Sequence, residues 1–224
     1  MNVKAIVNDI EGTTSSLDFV HKVLFPYSAQ ALPDYIRQHY QEPEIAAIIA
    51  EAKEQINKKK CSIDEVIATF LAWIEADKKI TPLKTLQGFI WEDGFTKGKF
   101  KGHLYEDAYY NLQKWHQQNL KLYVYSSGSE KAQKLLFAHT EYGDLTDIFN
   151  GYFDTRIGNK KEASSYEKIA AKIKLKPQEI LFLSDVVVEL DAASSAGYKT
   201  ILLAREKMPE NTNNHRVVSN FNEI

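Results

Sequence analysis

The chain has 224 residues, which is enough for one large α/β domain or for one such domain carrying a smaller insert. Its net charge of −2 provides no basic field for a nucleic acid or an anionic membrane, so neither is expected as a partner. No apolar run reaches the roughly 18 residues that span a bilayer. With one cysteine there is no disulfide framework, and the first residues lack the features of a signal peptide, which together predict a cytoplasmic protein.

The N-terminal part of the sequence predicts one strand followed only by helices. Apolar residues 5–7 form the centre of a strand over residues 3–9. From about residue 16 to residue 97, apolar residues recur at helical spacing instead. Start signals predict three helices in this region: 43–60 opened by Pro43, one opened by a capping box of Ser62 and Glu65, and one opened by Thr81 and Pro82 that ends near Gly94.

Strands and helices alternate in the rest of the chain. The predicted strands cover 120–125, 151–154, 179–184, 198–204 and 217–218. The predicted helices between them cover 104–115, 129–139, 164–174 with a capping box of Ser164 and Glu167, and 188–196. Alternation with short connections indicates βαβ units and a parallel sheet covered by helices on both faces.

This pattern predicts an α/β fold with a doubly wound parallel sheet. Because a single strand cannot stand alone, the first strand must pair with strands beyond residue 119. We therefore predict a catalytic core of residues 1–15 and 99–224, and an all-helical cap of residues 16–98 inserted after the first strand.

Polar residues stand where the predicted strands stop, which is where open α/β sheets bind their ligands. They are Asp9 and Glu11 after the first strand, Ser126 and Ser127 after the second, Lys160 in the loop before a helix, and Asp185 with Glu189 after a further strand. Asp9 and Asp185 offer the hard oxygen ligands that Mg²⁺ prefers. The sequence thus predicts a Mg²⁺ site at this edge of the sheet.

The same residues can carry one phosphoryl-transfer mechanism. Asp9 can attack phosphorus and form an aspartyl-phosphate, and Glu11 can protonate the leaving oxygen and later activate water. Ser126 and Ser127, with backbone N–H groups at the start of the next helix, can bind a phosphate, and Lys160 adds a positive charge. Any one of these residues alone is more typical of a turn, a helix cap or a solvated side chain. Their joint placement at one sheet edge favours the functional interpretation.

The motifs resemble those of a known enzyme group. They match the four motifs of the haloacid dehalogenase superfamily at these positions: Asp9-x-Glu11-Gly-Thr13, Ser126, Lys160 and Asp185-x-x-x-Glu189. The helical insert stands where that superfamily has its cap. Within the superfamily, the segments DIEGTT, VLFPY, LQGFIW, YVYSSGS, FDTRIGNK and FLSDVVVELDAASSAG are similar to the acireductone synthase family, the enolase-phosphatases of methionine salvage.

The resemblance implies a bifunctional, Mg²⁺-dependent monomer. It would enolise 2,3-diketo-5-methylthiopentyl 1-phosphate and then hydrolyse the enol phosphate to the acireductone and phosphate. The implied site is one Mg²⁺ per subunit held by Asp9, the backbone carbonyl of Glu11 and Asp185, with the substrate phosphate on Ser126, Ser127 and Lys160. Most phosphatases of the superfamily carry aspartate at the position of Glu11, so two roles stay open for it: enolisation base and phosphatase acid/base.

Two other functions fit the same residues. One is another capped phosphatase of the superfamily that acts on a different small phosphate ester. The other is a phospho-acceptor signalling module, which also places acids, a hydroxyl and a lysine at strand ends. Such a module is about half as long as this chain and has no use for a helical insert of roughly 80 residues.

Overall fold

The computed structural model describes residues 3–58, 60–78 and 80–224. The chain forms two compact units. The first consists of Met1–Leu17 and Lys101–Ile224, and the second consists of Asp18–Phe100. Strands and helices make up the first unit, whereas the second is built from helices.

A six-stranded parallel sheet forms the centre of the first unit. Its strands are β1 (Ala5–Asn8), β2 (Lys121–Tyr125), β3 (Gly151–Phe153), β4 (Ile180–Ser184), β5 (Lys199–Leu203) and β6 (Arg216–Val218). Their spatial order is β3-β2-β1-β4-β5-β6, and Val7 of β1 lies opposite Tyr123 of β2 and Phe182 of β4. The predicted doubly wound sheet is confirmed, and so is the pairing of the first strand with strands beyond residue 119.

Helices make up the next part of the chain, which apart from Leu17 belongs to the second unit. They are α1 (Leu17–Phe19), a π-helical turn (Val20–Leu24), α2 (Phe25–His39), α3 (Pro43–Gln55), α4 (Ile63–Glu75) and α5 (Thr81–Thr96). The apolar faces of α2, α3, α4 and α5 meet in one cluster that includes Leu32, Phe70 and Leu86. The predicted capping box opens α4, since Glu65 N–H donates to Ser62 Oγ (3.2 Å) and Ser62 N–H donates to the Glu65 carboxylate (2.8 Å).

The remaining helices belong to the first unit: α6 (Glu106–Gln117), α7 (Glu130–Ala138), α8 (Ala163–Ile173) and α9 (Val187–Ser195). Val7 and Phe182 pack in one apolar cluster with Tyr166 of α8 and Leu190 of α9. Ile6 points to the opposite face and is buried as well, as expected for a strand covered on both sides. Burial of each such side chain stabilises the fold by about 1.5–3 kcal/mol. Within the described residues, no helix has the length and apolar character of a membrane span.

Two helix ends in the second unit differ from the sequence prediction. α3 ends at Gln55 and not at residue 60, because Asn57 adopts a left-handed conformation with φ of 54°; Lys59 lies outside the described residues. α5 ends at Thr96, two residues beyond Gly94, near which we expected it to end. A Cβ atom at Gly94 would lie 2.7 Å from the ring of Tyr27 and 2.6 Å from the ring of Phe100. The glycine therefore makes room for two aromatic rings and does not stop the helix.

The capping box predicted at the start of α8 is wrong. The helix begins at Ala163, and its N-cap residue is Glu162, whose side chain makes no capping hydrogen bond. Ser164 therefore lies inside the first turn, too late in the chain to cap it. The neighbouring Ser165 is buried and donates its hydroxyl proton to the Asn159 carbonyl (2.7 Å) instead.

Candidate active site

The loops that follow β1, β2 and β4 meet at the carboxyl edge of the sheet. The pocket at this edge is lined by Asp9, Glu11, Leu17, Ser126, Ser127, Lys160, Asp185, Val186 and Glu189, all in the first unit. Because β1 lies between β2 and β4, residues that are far apart in sequence reach the same space. The structure brings together all seven polar residues that the sequence places at the strand ends.

Asp9 is buried directly after β1, with hydrogen-bond donors on both of its oxygens. Its Oδ1 accepts from the backbone N–H of Ile10 at 2.8 Å and lies 2.7 Å from Lys160 Nζ. Its Oδ2 accepts from the Ser184 hydroxyl at 3.4 Å. These contacts fix the orientation of the carboxyl group, which is the first requirement for in-line attack.

Lys160 lies between two carboxylates. Its Nζ is 2.7 Å from Asp9 Oδ1 and 2.7 Å from Glu189 Oε2, and all three side chains are buried. Burial alone would lower the pKa of Lys160, but the charges of Asp9 and Glu189 outweigh it and raise that pKa above its ordinary value. Lys160 is therefore a protonated cation that can bind phosphoryl oxygens, and it cannot accept a proton.

Asp185 packs against the backbone of the loop after β1. A Cβ atom at Gly12 would lie 2.3 Å from Asp185 Oδ2, and Gly12 has a left-handed φ of 71°. The other oxygen, Oδ1, is buried and accepts no hydrogen bond from any residue that the structure describes. Burial, and then the charge of Asp9, raise the pKa of Asp185 to about 7.

The donor set fits a divalent cation. Lys160 contributes one positive charge against the four acids that line the pocket, Asp9, Glu11, Asp185 and Glu189. In addition, Asp185 Oδ1 is buried and can still accept a bond. In the described part of the chain, no three His, Cys, Asp or Glu side chains converge closely enough to bind a metal by themselves. A cation here would use two carboxylates with backbone, substrate and water oxygens, which is the coordination that Mg²⁺ prefers.

The loop that carries Glu11 is short and tightly hydrogen-bonded. The N–H groups of Thr13, Thr14 and Ser15 all donate to the Ile10 carbonyl, at 3.2, 3.0 and 2.8 Å. The Thr14 hydroxyl donates to the Asp9 carbonyl at 3.1 Å. Glu11 lies at the pocket side of this loop. Its carboxyl and carbonyl groups are thus held on a backbone that has little freedom to move.

The two serines after β2 differ in exposure. Ser126 is buried and its hydroxyl accepts from Gly128 N–H (3.2 Å), whereas Ser127 is exposed. The sequence also suggested an anion cradle of N–H groups at the start of α7. Two of those groups are already engaged, because Glu130 N–H donates to Asp154 (3.1 Å) and Ala132 N–H donates to the Ser129 hydroxyl (3.2 Å). These two N–H groups are therefore not available to bind an anion.

Sequence reasoning missed the contacts of Ser184 and Glu189. The Ser184 hydroxyl lies 3.4 Å from Asp9 Oδ2 and 3.1 Å from Glu189 Oε2, and it accepts from Val186 N–H at 3.1 Å. Glu189 follows Asp185 by one helical turn, a spacing that could have placed its carboxylate on the pocket side of α9. No local pattern indicates that Glu189 and Asp9 share Lys160.

The fold and the site together define an α/β protein with a doubly wound parallel sheet, a helical insert after its first strand and an acid-rich pocket at the carboxyl edge. Residues 3–197 match a family model described as haloacid dehalogenase-like hydrolase. The enolase-phosphatase E1 of a Sulfurihydrogenibium species is 50% identical, covering 99% of this chain and 97% of that one. The enolase-phosphatase E1 of Thioalkalivibrio sulfidiphilus is 51% identical, covering 97% of each chain.

A solved structure shares the fold of this chain. The crystal structure of the UTR4 protein from Saccharomyces cerevisiae is 33% identical and superposes with a TM-score of 0.83, over 99% of this chain and 100% of that one. The chain therefore belongs to the haloacid dehalogenase-like hydrolases and, within them, to the enolase-phosphatase E1 family.

Proposed function

We propose that this protein is an acireductone synthase of methionine salvage. It enolises 2,3-diketo-5-methylthiopentyl 1-phosphate and hydrolyses the enol phosphate to the acireductone and phosphate. Identity of about half the residues to enolase-phosphatase E1 proteins over nearly the whole chain carries the substrate assignment. The buried Asp9 in contact with Lys160, beside Asp185 and Glu11, supports the chemistry.

Asp9 is the nucleophile in this proposal. One of its oxygens bonds to phosphorus while the bond between phosphorus and the enol oxygen breaks, and Glu11 donates a proton to that leaving oxygen. Glu11 then takes a proton from the water that hydrolyses the aspartyl-phosphate. Ser126, Ser127 and Lys160 bind the phosphoryl oxygens, and the positive charge of Lys160 stabilises the charge on them.

One Mg²⁺ per subunit would be held by Asp9, the backbone carbonyl of Glu11 and Asp185. When bound, it supplies positive charge that polarises the substrate's carbonyl and phosphoryl oxygens. The orphaned oxygen of Asp185 and the excess of acids over lysine support this assignment.

We also propose how the chain is divided into a core and a cap. Residues 1–15 and 99–224 form the catalytic core, since every residue assigned above lies in them, and residues 16–98 form the helical cap. The protein acts on a small phosphorylated molecule as a cytoplasmic monomer.

The test is to supply the diketo phosphate with Mg²⁺ and to follow the enol and phosphate separately. We expect the enol to appear first and phosphate to follow it. Hydrolysis of other phosphate esters without turnover of the diketo phosphate would favour another capped phosphatase. An aspartyl-phosphate that persists in an intact-mass measurement after phosphodonor treatment would favour a phospho-acceptor module.

The nucleophile is tested by Asp9→Asn, which keeps the shape of the side chain and removes the attacking charge. We expect folded protein with no phosphate release. Asp34→Asn is a suitable control, because Asp34 is an exposed acid on the second unit. Substantial Mg²⁺-dependent phosphate release by a folded Asp9→Asn protein contradicts the assignment.

A further inference from the structure

Arg205 is a buried arginine that the proposed mechanism does not use. It follows β5 at the same carboxyl edge of the sheet as the site, and its side chain is 7% exposed. Its Nε and Nη2 both donate to the Thr13 carbonyl, at 3.0 and 2.8 Å. Its Nη1 donates to both carboxylate oxygens of Asp107, at 2.8 and 2.7 Å. The planar guanidinium thus joins the loop after β1 to the start of α6.

Further contacts hold this guanidinium in place. It lies 4.1 Å from the ring centre of Tyr105 and 5.1 Å from that of Phe221. Asp107 also accepts the N–H of Phe221 at 2.7 Å, so the C-terminal turn is bound to the same carboxylate. Tyr105 N–H donates to the Thr14 carbonyl at 3.0 Å, next to the carbonyl that Arg205 binds. Two consecutive carbonyls of the loop are therefore anchored from outside it.

The anchored side of the loop is opposite to its catalytic side. Its N–H groups point inward to the Ile10 carbonyl, while the carbonyls of Thr13 and Thr14 point to Arg205 and Tyr105. Glu11 faces the pocket, and Gly12 packs against Asp185. A shift of the Thr13 carbonyl would move both of these residues, because they lie within two positions of it.

Stability alone does not explain why Arg205 and Asp107 form a buried ion pair. A buried ion pair often stabilises a protein no more than apolar residues of the same volume would, because both charges lose their hydration. Beyond its volume, Arg205 provides a fixed geometry, because one planar group makes four donor contacts.

We infer that Arg205, oriented by Asp107, is a positioning residue that fixes the loop Ile10–Ser15 and thereby the place of Glu11 relative to Asp185. This inference rests on the proposed function only for the roles of Glu11 and Asp185. Loss of the anchor moves the groups assigned to Mg²⁺ and to proton transfer. It leaves the phosphate-binding residues Ser126 and Lys160 on their own loops.

The test variant is Arg205→Lys, which keeps the charge but cannot reach both Thr13 and Asp107. Removal of a partner that orients a metal ligand typically costs about 10- to 100-fold in metal affinity or activity. We expect losses in this range in kcat and in Mg²⁺ affinity, the latter measured by calorimetry without substrate. We expect KM to change by less than about threefold, since the phosphate-binding residues stay in place. Added guanidinium ion at low millimolar concentration should partly restore the activity of Arg205→Ala.

Ile201→Val on β5 is the matched control, because it loosens the same strand without touching the loop. Its Tm should fall while kcat and Mg²⁺ affinity stay at the wild-type values. Asp107→Asn is the second variant, with the same pattern expected at a smaller size. Wild-type kcat and Mg²⁺ affinity in folded Arg205→Lys would overturn the inference. The inference would also be overturned if Arg205→Lys and Ile201→Val had the same Tm and lost kcat and Mg²⁺ affinity equally. Unfolding of both Arg205→Lys and Asp107→Asn would overturn it as well.

This test separates the inference from the proposed function. Calorimetry needs no substrate, and kcat can be compared on any phosphate ester that the wild type hydrolyses. If the wild type hydrolyses such an ester but not the diketo phosphate, the proposed substrate is wrong while the positioning role is still decided by the variants.

Discussion

Substitution of Gly12 by alanine tests the packing between the loop after β1 and Asp185. Gly12 has φ of 71°, and in this region an L-residue costs about 1–2 kcal/mol. Its new Cβ atom would also lie 2.3 Å from Asp185 Oδ2, so the carboxyl group must move by about 1 Å to reach a normal contact. A misplacement of about 1 Å at a catalytic group can cost roughly 100-fold in rate. We therefore expect a modest loss of stability and a large loss of activity.

Gly98→Ala is the matched control for this substitution. Gly98 has φ of 64°, and no atom lies within 4 Å of a Cβ built there. It should share the loss of about 1–2 kcal/mol in the free energy of unfolding, measured in urea, but keep wild-type activity. Mg²⁺ affinity by calorimetry and phosphate release then report the displacement of Asp185 alone. Wild-type Mg²⁺ affinity and rate in a folded Gly12→Ala protein would refute the reasoning.

Three further predictions follow from single contacts. Lys160→Met leaves two buried carboxylates facing each other, so we expect a stability loss of about 3–5 kcal/mol and no phosphate release, whereas Lys161→Met on the exposed neighbour should change the Tm and rate little. Burial, partly offset by Glu141 and reinforced by Arg205, lowers the pKa of His103, whose Nδ1 accepts Ser16 N–H at 3.0 Å. Its folded pKa is depressed, so its contribution to stability is present above the unfolded value of about 6.5 and is lost as the pH falls below it. Relative to His103→Asn, which keeps an acceptor near the same place, the wild type should lose free energy of unfolding between pH 7 and pH 5.5. The comparison between the two proteins is needed because Asp185, with its raised folded pKa, adds stability in both as the pH falls through about 7. Ser62→Ala should cost about 1 kcal/mol by removing the cap of α4, and an unchanged Tm would contradict the capping role.

The convergence of acids in the pocket could be predicted from the sequence, because it depends only on strand order and direction. The apolar run of β4 ends in Ser184 and Asp185, and that of β1 ends in Asn8 and Asp9. Neighbouring parallel strands bring their carboxyl ends to one edge of the sheet, whichever side chains follow them. The same logic located Ser126, at the end of β2.

The connections among those side chains could not be predicted in this way. Arg205 and Thr13 are 192 residues apart, and Arg205 and Asp107 are 98 apart, so no local pattern relates them. The packing of the Tyr27 and Phe100 rings at Gly94 likewise cannot be predicted from sequence signals, which treat glycine as a helix end. Such contacts depend on tertiary packing, which overrides local preference at single positions.

The position of β1 in the middle of the sheet has a consequence for synthesis on the ribosome. The strand is translated first, but its neighbours begin at Lys121 and Ile180, whereas the second unit is continuous from Asp18 to Phe100. A unit made from one continuous segment can fold as it emerges, but both edges of β1 stay unpaired until β2 and β4 have been synthesised. A nascent chain that extends beyond residue 100 but does not yet include β2 therefore has a folded helical unit and an exposed apolar strand. This is the stage at which we expect chaperones to bind and aggregation to begin.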